Sequence, residues 1–350
     1  MGTYRHQQTF LNVGSISGPI LWLIFTCDQP DIIHSHAIDI EAIDRGCSSS
    51  ISVSKESKGQ TNESCGLLVG YVDDGAYSYA SESPAVLSSV LTKMYQKIEN
   101  WMNANRLVIN PDKTHLLVIG SRRHSTLRNS VSMSAGGFVV KPSEFEKLLG
   151  GMLHQNLTWN LHIRDHKGSL LSQLNSRING LRKLSINANF QTRLMVANGV
   201  VMSKLTYLIT LWGNANEYLL DALQVQQLAA ARAVCGFGCA RWSKRQILKK
   251  VGWLSVRQLV FYHTVIQVHK TLHSGVPKAL YQSLSISFPR VLRCSTSGQL
   301  RQDSSLRSKK TFKYRAIQSY NMVPADIRTG STVTVKYKLK KWVSENVSLD

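Results

Sequence analysis

Two neighbouring carboxylates, Asp73 and Asp74, follow Tyr71-Val72 and precede Gly75. Apolar runs flank them, Leu67-Leu68-Val69-Gly70 before and Ala76-Tyr77-Ser78-Tyr79-Ala80 after. Asp-Gly between two such runs is a strong short-range hairpin signal. The spacing therefore predicts a strand over residues 67–72, a turn at Asp73-Asp74-Gly75, and a second strand over residues 76–80. Carboxylates at a hairpin end sit where strands meet solvent. They suit a pair of Mg2+ ions, or Mn2+ in their place, which lie about 3.5–4 Å apart and activate a hydroxyl against a phosphate. Mg2+ takes oxygen ligands and borrows several from substrate phosphates, so few protein carboxylates suffice. The plain alternative is that Asp-Asp-Gly simply makes a good turn.

The elements that must position this hairpin are also readable. Ser83 is placed to cap a helix that Pro84 opens. Leu87, Leu91, Met94, Ile98 and Trp101 then recur at helical steps and predict one apolar face. Beyond it come Leu107-Val108-Ile109, a polar turn at Asn110-Pro111-Asp112-Lys113-Thr114, a strand over residues 115–119 and a strand pair within residues 137–153. Gly14, Ser15, Gly18 and Pro19 form a turn near the start, before an apolar segment; residues 45–65 have loop composition. From about residue 165 the pattern is helical, with helices expected near 166–186, 190–210, 216–234, 243–251 and 255–273. The signals over residues 286–350 are too weak to place elements. The expected class is α+β: a mixed region up to about residue 160, then helices.

Charge follows the same division. The chain of 350 residues carries 42 Lys and Arg against 21 Asp and Glu, a net charge of +21. Residues 1–120 hold 8 of the basic and 12 of the acidic side chains, so the whole excess lies after them. Such an excess fits a polyanionic partner, nucleic acid before membrane. The apolar run over residues 19–27 is about half of what a membrane span needs. The six cysteines, Cys27, Cys47, Cys65, Cys235, Cys239 and Cys294, form no CxxC pair and read as reduced thiols of an intracellular protein.

Taken in order, these motifs resemble the reverse transcriptases of non-LTR retrotransposons. Tyr71-Val72-Asp73-Asp74 resembles their metal-binding hairpin. Gly14-Ser15-Ile16 with Gly18-Pro19 resembles the segment Gly-Val-Pro-Gln-Gly-Ser-Ile-Leu-Gly-Pro beneath the incoming nucleotide and template. The run from Trp101 to Leu107, then Ile109 to Thr114, resembles the helix and loop after the hairpin. Leu148-Leu149-Gly150-Gly151-Met152, followed by Asn156 to Ile163, resembles the primer grip and its lead into the thumb. Tyr207 to Gly213, Gln227 to Arg232, and Gly252 to Val256 are similar to the thumb and connector.

The resemblance implies an RNA-directed DNA polymerase working by two-metal nucleotidyl transfer. Asp73 and Asp74 would hold Mg2+ and be catalytic. Gly14, Ser15, Gly18, Pro19, Tyr71 and Lys113 would contact nucleotide or template, and Leu149, Gly150 and Gly151 the primer. The implied partners are an RNA template, a DNA primer and a dNTP. The implied domains are a partial palm over residues 1–160, a helical thumb over 161–275 and a basic connector or tail over 276–350.

The chain also departs from the family. Nothing resembling the upstream Phe-Asp segment, with its further metal-binding Asp, precedes Gly14, and the fingers are missing with it. A two-metal reaction short of that shared ligand should fail or be very slow. Val13 stands where the family has Gln, and Met152 to His154 depart from its usual Asp-containing text. Three readings follow: a polymerase, with a separate N-terminal half as a further partner; a catalytically dead nucleic-acid-binding remnant; and a decayed copy with no role. Lys167, Arg177, Arg182, Lys183, Arg193 and Lys204 are candidates for phosphate contacts, against the plain reading of a solvated helix face. Trp159, Trp212, Trp242 and Trp253 read as core anchors before base-stacking platforms, and His162 as a packing histidine.

Overall fold

The computed structural model describes residues 67–71, 74–184, 186–236, 238–239, 241–284, 299–300 and 311–348. The chain is mixed helix and sheet and falls into two compact units. One spans residues 1–146 with 154–157; the other spans 147–153 with 158–350.

In the first unit, β1 (Leu67–Tyr71) and β2 (Asp74–Ser78) pair antiparallel, with Tyr71 opposite Asp74 and Gly70 opposite Gly75. Asp74 and Gly75, expected in the turn, belong to the second strand; residues 72–73 lie outside the described residues. Helix α1 (Pro84–Ala104) follows, with the Ser83 side chain accepting from the Val86 N–H and Pro84 opening the first turn. It buries two faces rather than the single one expected. Val86, Val90, Met94 and Ile98 pack with Tyr77 and Tyr79 of the hairpin segment. Leu87, Leu91 and Tyr95 pack on Leu116, Val131, Met133 and Ala135. The second face covers β3 (Leu116–Leu117) and the hairpin of β4 (Met133–Ala135) and β5 (Phe138–Val140). A short α2 (Ser125–Asn129) carries Arg128, which is buried and donates to Asn156 Oδ1 at 2.7 Å. A two-residue β6 (Pro142–Ser143) pairs parallel with β3, and β7 (Phe145–Leu148) pairs with β8 (Gly151–His154).

The second unit is helical: α3 (Leu170–Leu184), α4 (Phe190–Val196), α5 (Ser203–Thr206), α6 (Ile209–Trp212), α7 (Glu217–Cys235), α8 (Lys244–Val251), α9 (Val256–Ser274), α10 (Lys278–Leu284), α11 (Phe312–Met322), α12 (Ala325–Arg328) and α13 (Thr332–Asn346). A wide turn over Ala197–Met202 joins α4 to α5 without leaving the helical path. The expected helix over residues 190–210 is broken where Leu208 takes φ 56°. Two capping boxes, Ser243 with Gln246 and Ser255 with Gln258, start α8 and α9. One continuous core joins Leu174 and Ile178 of α3, Leu219 and Leu223 of α7, Val265 of α9, and Ile317 and Leu339 of the last helices.

Buried glutamines tie this core to the backbone. Gln224 Oε1 accepts from Val256 N–H at 2.8 Å, and Gln227 Nε2 donates to the Leu254 carbonyl at 2.8 Å. Gln258 Nε2 donates to the Val347 carbonyl at 2.8 Å, holding the chain after α13 against α9.

Leu174 is 1% exposed. Leu174→Ala should lower the unfolding free energy by about 2–5 kcal/mol, through lost burial and the cavity left behind. Leu184→Ala, at a site on the same helix that is exposed, should change it by less than about 0.5 kcal/mol. Urea unfolding followed by helical circular dichroism checks both; equal losses would contradict the assigned core.

Candidate nucleic-acid interface

The sequence-assigned residues are described to different extents. Gly14, Ser15, Gly18, Pro19 and Asp73 lie outside the described residues. Tyr71 and Asp74 are register partners at the turn end of the β1–β2 hairpin, and their side chains lie outside the described residues. Among the described residues no three His, Cys, Asp or Glu side chains converge, so the Mg2+ expectation rests on the sequence. Lys113 ends a single 3-10 turn, Pro111–Lys113, and its side chain is exposed. Asn110 organises that turn: its Oδ1 accepts from Asp112 N–H at 3.0 Å and its carbonyl from Lys113 N–H at 3.1 Å.

Leu149, Gly150 and Gly151 form the tip and return of the β7–β8 hairpin. Leu149 takes φ 46° and Gly150 φ 80°. The left-handed region is natural for glycine and strained for leucine. The Tyr207 hydroxyl donates to the Leu149 carbonyl at 2.6 Å. Leu208, itself a left-handed leucine, seats its Cδ1 2.9 Å from where a Cβ on Gly151 would lie. The break itself is held from below. Trp212, fully buried, donates its indole N–H to the Tyr207 carbonyl at 2.9 Å. A Cβ on Gly213 would meet the Ile209 carbonyl and a Val260 methyl, each at 2.6 Å, so the chain after Trp212 can pass only as glycine.

Cations gather beside this tip. The pKa of Lys204 is lowered by burial, and then by the charges of Arg177 and Lys147. Lys204 Nζ lies 5.6 Å from the centre of the Tyr207 ring. Arg177 Nη1 donates to the Val200 carbonyl at 2.6 Å, which fixes its guanidinium across from α5. None of the three cations forms an ion pair among the described residues. Arg177 and Lys204 were candidates on sequence; Lys147 was not, because only the hairpin's path brings a strand residue to two helices. Of the other candidates, Lys167, Arg182 and Lys183 are exposed, and Arg193 lies against Gly236.

His162 sits under the same hairpin. It is 6% exposed, and its Nδ1 accepts from Met152 N–H at 3.4 Å, leaving the proton on Nε2. Burial, then the Lys204 charge, pushes its pKa down to about 4. It is a neutral packing group at physiological pH. Trp159 and Trp253 pack against the core and donate to Asn214 and Asn198, at 2.7 and 2.8 Å. With Trp212 they are anchors rather than exposed stacking platforms; Trp242 is 36% exposed.

The arrangement can bind a multiply charged anion at a fixed place. Comparison with protein-family models, with curated proteins and with solved structures returns no match to this chain.

Two outcomes are expected. Gly151→Ala, which must push the Leu208 side chain aside, should lower stability by about 1–3 kcal/mol; Tyr207→Phe should lower it by about 0.5–1.5 kcal/mol. Urea unfolding measures both, and no loss in either would contradict the pinned tip. The second concerns pH. His162 is held below its ordinary 6.5, at about 4, so the unfolded state binds more protons between these values. Stability from this group is complete above pH 6.5 and drains away as pH falls towards 4. His162→Gln should flatten that part of the profile, though half-buried His263 and buried His269, also held low, keep a residual slope of the same sign.

Proposed function

We propose that this chain is the metal-hairpin, thumb and connector portion of an RNA-directed DNA polymerase of the non-LTR retrotransposon type. Its own contribution is to hold an RNA–DNA template–primer duplex by the backbone. The observation that carries this reading is the set of cations, Lys147, Arg177 and Lys204, with no ion pair among the described residues, at a strained and pinned hairpin tip. Phosphate contacts position a duplex without reading its sequence. The basic excess after residue 120 supports the same partner. No helix among the described residues is long and apolar enough to cross a membrane.

In this reading Asp73 and Asp74 hold Mg2+, which supplies charge neutralisation at the phosphates and activation of the primer hydroxyl. Tyr71, Lys113 and the Gly14, Ser15, Gly18 and Pro19 turn attend the dNTP and template. Leu149, Gly150 and Gly151 bear on the primer strand, and Tyr207 keeps them in place. The 350 residues offer no counterpart of the family's upstream carboxylate. By themselves they therefore bind a duplex and do not extend it.

The test joins binding to extension. Affinity of the purified chain for an RNA–DNA duplex should fall steeply with salt, with a log–log slope of roughly one for each phosphate contacted. Lys147→Gln, Arg177→Gln and Lys204→Gln should each weaken binding and reduce that slope by about one. A flat salt response, or variants that bind as the parent does, would sink the assignment. Primer extension with Mg2+ and dNTPs, run beside an Asp73→Asn, Asp74→Asn double variant, should give no product from either. Product from the parent alone would support the polymerase and overturn the claim that these residues cannot extend a primer.

A further inference from the structure

At the far end of α9 from its Ser255 cap, two histidines stand one helical turn apart. His269 and His273 have the i, i+4 spacing that brings two side chains together on one helix face. Their ring centres are 4.3 Å apart, with the planes inclined at 54°. His269 is 1% exposed, and neither of its ring nitrogens completes a hydrogen bond. The Arg328 carbonyl approaches that ring without satisfying it. A neutral imidazole carries one N–H and one lone pair, and leaving both unmet in the interior is costly. His162 shows the ordinary outcome in the same unit, since its Nδ1 accepts from the Met152 N–H. His273, the neighbour in ring contact, is exposed.

We propose that His269 and His273 form a two-histidine site for a divalent transition-metal ion of the Zn2+ class. The ion takes one ring nitrogen from each histidine and keeps water on its remaining positions. Neutral imidazole is a ligand common to Zn2+, Ni2+ and Cu2+. Two histidines at this helical spacing can turn their nitrogens to one ion.

The dimensions agree. Zn–N bonds of about 2.0–2.1 Å in a tetrahedral arrangement put the centres of two ligating rings roughly 5 Å apart. The rings start at 4.3 Å, so the exposed His273 has only to swing outward by about 1 Å to admit an ion beside its buried neighbour. Exposed side chains make such moves within nanoseconds. His269 is fixed by the packing around it, and one of its nitrogens ligates while the other has the Arg328 carbonyl in reach. A backbone carbonyl is the kind of acceptor that orients a ligating imidazole. The local field also favours a cation. The pair spans the last two turns of α9, which stops at Gly275 with φ 70°, and the carbonyls at a helix C-terminus carry partial negative charge. Because the two histidines belong to consecutive turns, a bound ion clamps α9 where it ends.

The test uses the full chain with nitrogen-15 in its histidines and Zn2+ alone as the probe. Single His269→Gln and His273→Gln variants assign the imidazole signals, and the signals keep zinc taken up by the chain's other histidines out of the comparison. On titration the His269 and His273 nitrogens should shift together, saturate at one ion for the pair, and return when EDTA is added. His273→Ala changes an exposed position, so the fold should be unaffected, which helical circular dichroism checks. In that variant the His269 response to Zn2+ should be lost. A shift of His273 without His269, no shift of either at millimolar Zn2+, or a His269 response that survives His273→Ala would each overturn the proposal.

Discussion

Between α5 and α6 the chain leaves its helical path for two residues, and most of what is distinctive in the helical unit depends on that departure. Leu208 enters the left-handed region, at a cost of order 1–3 kcal/mol for a leucine. The Tyr207 carbonyl, freed from the helix, would be an orphan acceptor without the Trp212 indole N–H. Burying Trp212 and its neighbours Leu205 and Ile209 contributes roughly 1.5–3 kcal/mol per large side chain. Burial therefore outweighs strain, and the break is a stable feature. Its product is a tyrosine hydroxyl pointing away from the core at a height no regular helix would give it.

That hydroxyl is what the β7–β8 tip rests on. Leu149 is strained in the same way as Leu208, and a tip of Leu149 and Gly150 with no side-chain hydrogen bonds of its own would sample many conformations. The bond from Tyr207 and the Leu208 methyl over Gly151 remove that freedom. Lys147 is then held where its charge, like that of Arg177, acts on Lys204. The buried glutamines act one layer further down. Gln224 and Gln227 satisfy the backbone where α8 turns into α9, so α9, against which Gly213 is packed, stays where the break requires it.

Much of this was legible in the residues. Ser83-Pro84 marked the start of α1, and helices were expected near residues 243–251 and 255–273, where α8 and α9 lie; their capping boxes and left-handed glycine ends, Gly252 and Gly275, went unread. The hairpin at residues 67–78 was legible in kind, but Asp74 and Gly75, read as turn, are strand residues. An Asp-Gly pair favours a turn, and here register favours Tyr71 opposite Asp74 instead. The second apolar face of α1 was missed because Val86, Val90 and Tyr95 are offset by one position from the periodic series that was counted. The break at Leu208 had no local signal: leucine and tyrosine are both acceptable in a helix, and the reason lies in Trp212 and Val260. The last three helices were illegible because their apolar positions, such as Val335, Leu339 and Val343, are interleaved with lysines that dilute the periodic pattern.

The same unit shows how the fold treats a cation that has a purely structural task. Arg257, at the start of α9, is met by Glu217 at 2.7 Å and Asp221 at 2.8 Å, both from α7, and these acids raise its pKa. Such exposed pairs add little stability, typically under about 1 kcal/mol, but they leave no field behind. At the hairpin tip the sequence does the reverse. It places Lys147, Arg177 and Lys204 within mutual influence, fixes Arg177 to a carbonyl rather than a carboxylate, and partly buries Lys204. Repulsion and desolvation both act against folding there, and a single Glu on α3 or α5 would relieve them. An anion with several oxygens relieves them equally well, and only while it is bound. In the proposed reading that anion is a backbone phosphate, which has the charge and the acceptor oxygens to supply the compensation.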